Sequence, residues 1–345
     1  MPLSRRQTLA LAAAATLAAC HKRPLTTPAP RGAELDTRVL DGGFPALARR
    51  ASPGAFAMGV MDLATTKTWY WNTNRGFPLA GAAALPIATA AMAEVDAGKL
   101  SLGERVAFDW LDLSPPFSLI SRDWPDPPDR RSTAMRAADL IALAMREGDT
   151  TAMDVLTKRI GGPGGVTAFL QLKGVLGVRV DRYQRNIETD MFAMPSFRAA
   201  WRTQGGFDAA RAAVPPTLRQ AAMDRFILDP RDTATVPAAL GFLALLAGGE
   251  LVSPASTRAL LGWMSAAPGS LFAAGLPTGA PVAHTTGQAR TDLGFTPATT
   301  ELAVASFPSG RRYALAGFLI GSTATPESRG ALFAAGAALA AKAIG

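Results

Sequence analysis

FPLAGAAALPIATAAMAEVDAGKLSLGERV, residues 77–106, is the most informative stretch of this chain. Leu85 to Ala97 reads as an apolar helix, and Gly98 follows at the position where a left-handed residue ends many helices. Ahead of it stand the pair Phe77-Pro78 and the small residues Ala80, Gly81, Ala82, Ala83 and Ala84, with the helix expected to start near Gly81. These residues carry neither a hydroxyl nor a cation. Their chemistry is confined to backbone amides, which face outward at the start of any helix.

Upstream, Ser4-Arg5-Arg6-Gln7-Thr8-Leu9 is a twin-arginine export signature, followed by an Ala/Leu run that ends at Leu17-Ala18-Ala19-Cys20. Leu9 to Ala19 is too short to cross a hydrocarbon core of roughly 30 Å, so residues 1–20 read as a cleavable signal. Cys20, the only cysteine, matches a lipobox, which makes it the expected lipid anchor and points to a periplasmic, membrane-anchored lipoprotein. The other reading is an idle thiol in a discarded peptide. No disulfide forms within the chain in either case. Residues 21–33 hold Pro24, Pro28 and Pro30 and read as an extended tether, leaving 34–345 as the folded body.

The formal charge is +8, and it falls to +6 once Arg5 and Arg6 leave with a signal that contains no acid. Such a surplus suits anionic envelope polymers or lipid headgroups. Basic residues do not cluster with aromatics, and an exported protein does not meet nucleic acid, so a nucleic-acid partner is excluded.

Within the body, Glu34 to Arg50 has helical spacing interrupted by Gly42-Gly43 and Pro45. Ala55 to Met61 and Thr68 to Trp71 read as a hairpin joined through Ala64-Thr65-Thr66-Lys67. The prolines between Trp110 and Arg131 predict an irregular connection. Helices are expected over Thr133–Glu147, Thr151–Ile160 and Gly164–Leu172, with Gly148 and Gly161-Gly162-Pro163 as breaks. Val282–Thr286, Glu301–Phe307 and Tyr313–Ile320 read as strands, the last two linked by Pro308-Ser309-Gly310, and Pro326–Ile344 as a closing helix. Strands at both ends with helices between predict an α+β, three-layer α/β/α body. Its five-stranded antiparallel sheet comes from residues 34–75 and 232–345, and an all-helical part spans 76–231.

Four phrases give this order a family likeness: Val95-Asp96-Ala97-Gly98-Lys99-Leu100-Ser101-Leu102, Ile160-Gly161-Gly162-Pro163-Gly164-Gly165-Val166-Thr167-Ala168-Phe169, Asp229-Pro230-Arg231-Asp232-Thr233 and Ala274-Gly275-Leu276-Pro277. With the Phe77 segment, they resemble the class A β-lactamases and their penicillin-binding relatives over most of residues 34–345.

The resemblance implies five catalytic side chains, and the chain departs from each. Gly81 stands where the family has its serine nucleophile and Ala84 where it has the lysine that takes the proton. None of the chain's lysines has a Ser or Thr three residues before it, so a shifted motif does not replace the pair. Gly148-Asp149-Thr150 replaces Ser-Asp-Asn, keeping only the carboxylate. Gln184 occupies the place of the deacylating base and has no useful basicity near neutral pH. Thr285-Thr286-Gly287 replaces Lys-Thr-Gly, removing the cation that steers a substrate carboxylate.

The resemblance also implies an oxyanion hole from two backbone amides, here those of Gly81 and Gln288. Asp149, Thr150, Thr285 and Thr286 are the polar side chains expected beside them. No metal-spaced His/Cys cluster or phosphate-binding glycine loop is present, so neither metal nor cofactor is expected. Of the two histidines, His21 neighbours the lipidation site and His284 reads as a structural or pocket-wall residue rather than a base or ligand. From Gln184 to Asp232 the chain runs 48 positions, far beyond the family's loop, so 188–228 reads as an insert that either caps the cleft, offers a partner surface or extends local packing.

The functional expectation is a pseudoenzyme that binds a peptide-like or β-lactam-like ligand, or an envelope protein partner. The alternative is a residual serine hydrolase acting on β-lactams or peptidoglycan peptides.

Overall fold

The computed structural model describes residues 34–115, 117–124 and 132–345. The twin-arginine segment, Cys20, His21, the tether and part of the proline-rich connection lie outside the described residues.

The described residues form one compact unit. It opens with α1 (Thr37–Arg49), capped by the Asp36 carboxylate on the Arg38 amide. Gly42, Gly43 and Pro45 were expected to interrupt it, yet the helix runs through them, held by Leu40, Phe44 and Leu47 on its buried face. The hairpin β1 (Ala55–Asp62) and β2 (Thr68–Trp71) follows, then β3 (Phe77–Pro78), a 3-10 turn over Ala80–Ala83, and α2 (Ala84–Asp96).

The helical part differs from the sequence expectation at one place. β4 (Arg105–Asp109) and β5 (Ser132–Arg136) pair antiparallel, with α3 (Leu119–Arg122) between them, so residues 133–136 form a strand and the helix begins only at α4 (Ala137–Glu147). This part is therefore not all-helical. Next come α5 (Thr150–Arg159), α6 (Pro163–Leu172), α7 (Gln184–Met191), α8 (Gln204–Ala212) and α9 (Pro216–Phe226). Between α7 and α8 lies a 3-10 turn at Ala199–Trp201, and α8 starts where Thr203 caps it through the Gly206 amide.

β6 (Thr233–Ala234) pairs with β3. After α10 (Val236–Gly248) and α11 (Pro254–Ala266) come the long strands β7 (Val282–Gln288), β8 (Thr296–Ser306) and β9 (Arg312–Ser322), then α12 (Pro326–Ile344). The main sheet is antiparallel with order β2-β1-β9-β8-β7, which places the first hairpin beside the last strands and leaves β7 at an edge.

Both faces of the sheet are covered, so β8 and β9 are buried almost throughout rather than alternating. On one face Phe56, Met58 and Val60 pack with Phe44 of α1 and Phe333 of α12. On the other, Ala57, Leu302 and Phe318 join Phe77, α2 and α10. None of the described helices is long and apolar enough to cross a membrane.

Candidate functional site

The edge strand β7 and the turn before α2 meet almost backbone to backbone. A Cβ on Gly287 would lie 2.2 Å from the Ala82 nitrogen and 2.6 Å from the Gly81 nitrogen, so only glycine permits this approach. Ala80, immediately before Gly81, sits at φ 48°, a left-handed conformation that costs a residue with a side chain of order 1–3 kcal/mol. The surrounding chain fixes that strain: the Leu79 amide donates to the Asp232 carbonyl at 2.9 Å and the Thr300 hydroxyl to the Pro78 carbonyl at 2.8 Å.

Gly81 lies in the first turn, where an amide has no intrahelical acceptor. The register Gln288↔Thr299, with the Ala289 amide bonded to the Ala298 carbonyl at 2.9 Å, puts Gln288 at a position whose N–H points away from β8 along the open edge. Both residues border a cavity of about 190 Å³.

One wall of that cavity is a single face of α7: Gln184, Ile187, Glu188 and Met191 follow the i, i+3, i+4, i+7 pattern. The start of α7 is held from outside, because the buried Asp154 carboxylate accepts from the Gln184 amide at 2.6 Å and the Arg185 amide at 3.3 Å. Burial pushes that carboxyl up to about 6 despite the two amides. Phe117 and Phe226 supply apolar wall, the latter from the end of the insert.

Glu188 escaped the sequence reading except as the first residue of the insert. It is 7% exposed, its Oε2 has no hydrogen-bond partner, and burial pushes its carboxyl up to about 7, against the opposing pull of Arg290 and Arg211. Gln184, 5% exposed, likewise has an unpartnered Nε2. The available signal was a glutamate on the same helical face as Ile187 and Met191.

The expected site residues are distributed unevenly. Gly81, Gly148, Thr150, Gln184, Thr286 and Gln288 all border the cavity. Ala84 is buried in the first turn of α2, and Thr285 is buried on β7 outside the cavity wall. Asp149 is fully buried and saturated: it caps α5 through the Ala152 amide at 2.8 Å and accepts from the Ile120 amide at 3.1 Å and the Ser118 hydroxyl at 3.0 Å. Burial still pushes its carboxyl up. The residue anchors a loop and does not face the cavity.

The hydroxyls are committed as well. Thr150 Oγ1 donates to the Ser114 carbonyl. Thr286 Oγ1 lies 3.2 Å from His284 Nδ1, and since His284 Nε2 faces the Ala267 carbonyl at 3.0 Å, Nε2 carries the proton and Nδ1 accepts from the threonine. Burial lowers the His284 pKa and keeps the ring neutral. The Gln288 carboxamide oxygen accepts from Arg329 at 3.1 Å. Among the described residues no group of three or more His, Cys, Asp or Glu is placed to hold a metal ion.

The insert packs into the body. Phe192 and Phe207 are fully buried, Arg290 lies 5.9 Å from the Phe207 ring centre, and Arg290 and Arg211 pair with Asp208.

A model of the beta-lactamase enzyme family matches residues 44–343. Among solved structures, the last common ancestor of Gram-negative class A β-lactamases is 26% identical, with 91% of this chain and 100% of that chain aligned at a TM-score of 0.66. A β-lactamase from Chitinophaga pinensis is 22% identical, covering 89% of this chain and 100% of that one at a TM-score of 0.71. One from Xanthomonas campestris pv. campestris is 21% identical, covering 90% and 99% at a TM-score of 0.69. The last two speak to the fold alone.

Proposed function

The chain belongs to the beta-lactamase enzyme family, and from that premise we propose that it is an exported, lipid-anchored member that binds a peptide-like or β-lactam-like ligand at the cell envelope without hydrolysing it. The observation that carries this reading is the cavity bordered by Gly81 and Gln288, which offers two backbone donors where no side chain supplies a nucleophile. Backbone amides survive any change of side chain. Held rigidly by the Gly287 contact and the strained Ala80, they suit a carbonyl or carboxylate oxygen.

Acyl transfer needs more than those donors. A nucleophile must be activated by a neighbouring base, and Gly81 and Ala84 have neither group to give. The nearby hydroxyls do not take over, because Thr150 is spent on the Ser114 carbonyl and Thr286 on a neutral, buried His284. Gln184 lacks the basicity to activate a water. Losses spread over several members of a unit that acts jointly disfavour the residual hydrolase. An envelope protein seated on the 188–228 insert is the second kind of partner this reading allows, and the export signal and Cys20 would place the body at the membrane.

A ligand screen by thermal shift tests the proposal. Stabilisation of the full chain by a β-lactam or a short peptide, lost when Gly81→Leu fills the space beside Gln288, supports it. Partner capture abolished by insert mutations while cavity mutations change nothing would replace it with a scaffold.

A further inference from the structure

The cavity contains more polar capacity than a carbonyl requires. Glu188 Oε2 and Gln184 Nε2 are both buried and unpartnered, and from one face of α7 their residues line the same cavity as Gly81 and Gln288. Buried polar atoms in folded proteins nearly always find partners, so two unpartnered ones on residues lining one cavity leave it with unused polar capacity. Their characters differ. The carboxamide N–H and the two backbone amides are donors and want an oxygen, whereas the carboxylate is an acceptor and wants an N–H or a cation.

The charges around Glu188 come from three directions. Arg211 and Asp208 lie on α8, Arg290 follows β7, and Glu147 borders the cavity at the end of α4. The arginines are engaged elsewhere: Arg290 with Asp208, and Arg211 with Asp292 at 2.8 Å. Neither forms an ion pair with Glu188, which leaves its carboxylate as the buried cation acceptor of the two carboxylates that line the cavity, Glu147 being exposed.

We infer that the cavity takes an amine-bearing carbonyl compound, its oxygen held by the Gly81 and Gln288 amides and its ammonium group by Glu188. This deepens the ligand-binding reading above and rests on it. Ammonium binding selects the ionised carboxylate, whose burial otherwise favours the protonated form. Occupation therefore expels a proton near neutral pH, and affinity rises by roughly tenfold per pH unit while the carboxyl is still protonated in the empty site.

The test uses the full chain, wild type and Glu188→Gln, with 4-aminobutanamide, its N-acetyl derivative and butanamide as probes. Thermal shift and calorimetry are run at pH 5.5 and 7.5, the latter in two buffers of different ionisation heat. The expected result is tighter binding of the amine at the higher pH with proton release, at least tenfold weaker binding of both neutral amides, and loss of the preference and of the proton release in Glu188→Gln. Equal binding of amine and neutral amides, or an amine preference unchanged in Glu188→Gln, overturns the inference and leaves the cavity as a binding site of another selectivity. Wild-type proton release settles the matter if the variant does not fold. Failure of all three probes also overturns the inference, and the Gly81→Leu screen then decides the broader reading separately.

Discussion

The Arg182 guanidinium meets the Asp232 carboxylate at 2.6 Å, closing the neck of the excursion that runs from Gln184 to Asp232. Asp232 also accepts from the Asp181 and Arg182 amides at 2.7 and 3.0 Å, and its own carbonyl receives the Leu79 amide beside Gly81. Neck and cavity thus share one residue. Arg182 keeps Asp190 at 2.7 Å and Asp229 at 3.2 Å as further partners.

Asp232→Ala leaves a buried guanidinium and two buried amides without their main acceptor. The expected loss is about 3 kcal/mol, in line with the breaking of buried pairs by removal of one partner. Urea denaturation measures it, and a loss below about 0.5 kcal/mol, typical of an exposed pair, contradicts the assigned role.

Asp149→Ala is expected to act on stability alone. It removes the α5 cap and strands the Ser118 hydroxyl and Ile120 amide, a combined cost of about 2–3 kcal/mol. Thermal melts of the variant check this, and unchanged ligand stabilisation in the folded fraction shows that the carboxylate lies outside the site.

Gly287→Ala forces a methyl into the Ala82 nitrogen and the Leu79 carbonyl. Backbone on both sides leaves no flexible neighbour to yield, so the strand must move off the turn at a cost of about 1–3 kcal/mol or more. Ligand stabilisation should vanish as the two amides separate. Retained binding in a folded Gly287→Ala protein would show that the donors are not used.

Burial pushes up the carboxyls of Asp149 and Asp232 and, furthest, those of Glu188 and Glu301, to about 7, and of Asp154, to about 6, against ordinary values of 4.5, 4.5 and 3.8 for the last three. In each the folded state holds a proton that the unfolded chain has already released. Their stabilisation is therefore present at acid pH and fades as pH rises toward 7. Stability should fall between pH 5 and 8, with Glu188 contributing about 3 kcal/mol of the decline. Denaturant midpoints across that range test the sign, and Glu188→Gln should flatten the slope.

Much of this was legible in the residues. The hairpin at Ala55–Trp71, the strands near the C-terminus and the Gly98 and Gly148 helix ends follow from period and turn chemistry, whereas the 3-10 turn over Ala80–Ala83 stands where the α-helix was expected to start. What escaped depended on tertiary context. Thr133–Arg136 becomes a strand because Arg105–Asp109 is there to pair with it, a contact that no local pattern announces. Asp149 read as a cleft residue, but its oxygens are consumed by Ser118, Ile120 and Ala152, an assignment that requires the fold. Glu188 was hidden by its place at the start of an insert, although its spacing from Gln184, Ile187 and Met191 put it on one helical face.

The most direct test of the central claim follows a chromogenic β-lactam in the presence of the purified full chain, with intact-mass analysis of the same sample. The account predicts hydrolysis no faster than in buffer and no covalent mass increase, together with ligand-induced thermal stabilisation. Catalysed turnover, or an acyl adduct that disappears when Thr150, Thr286 or Glu188 is replaced, would contradict it.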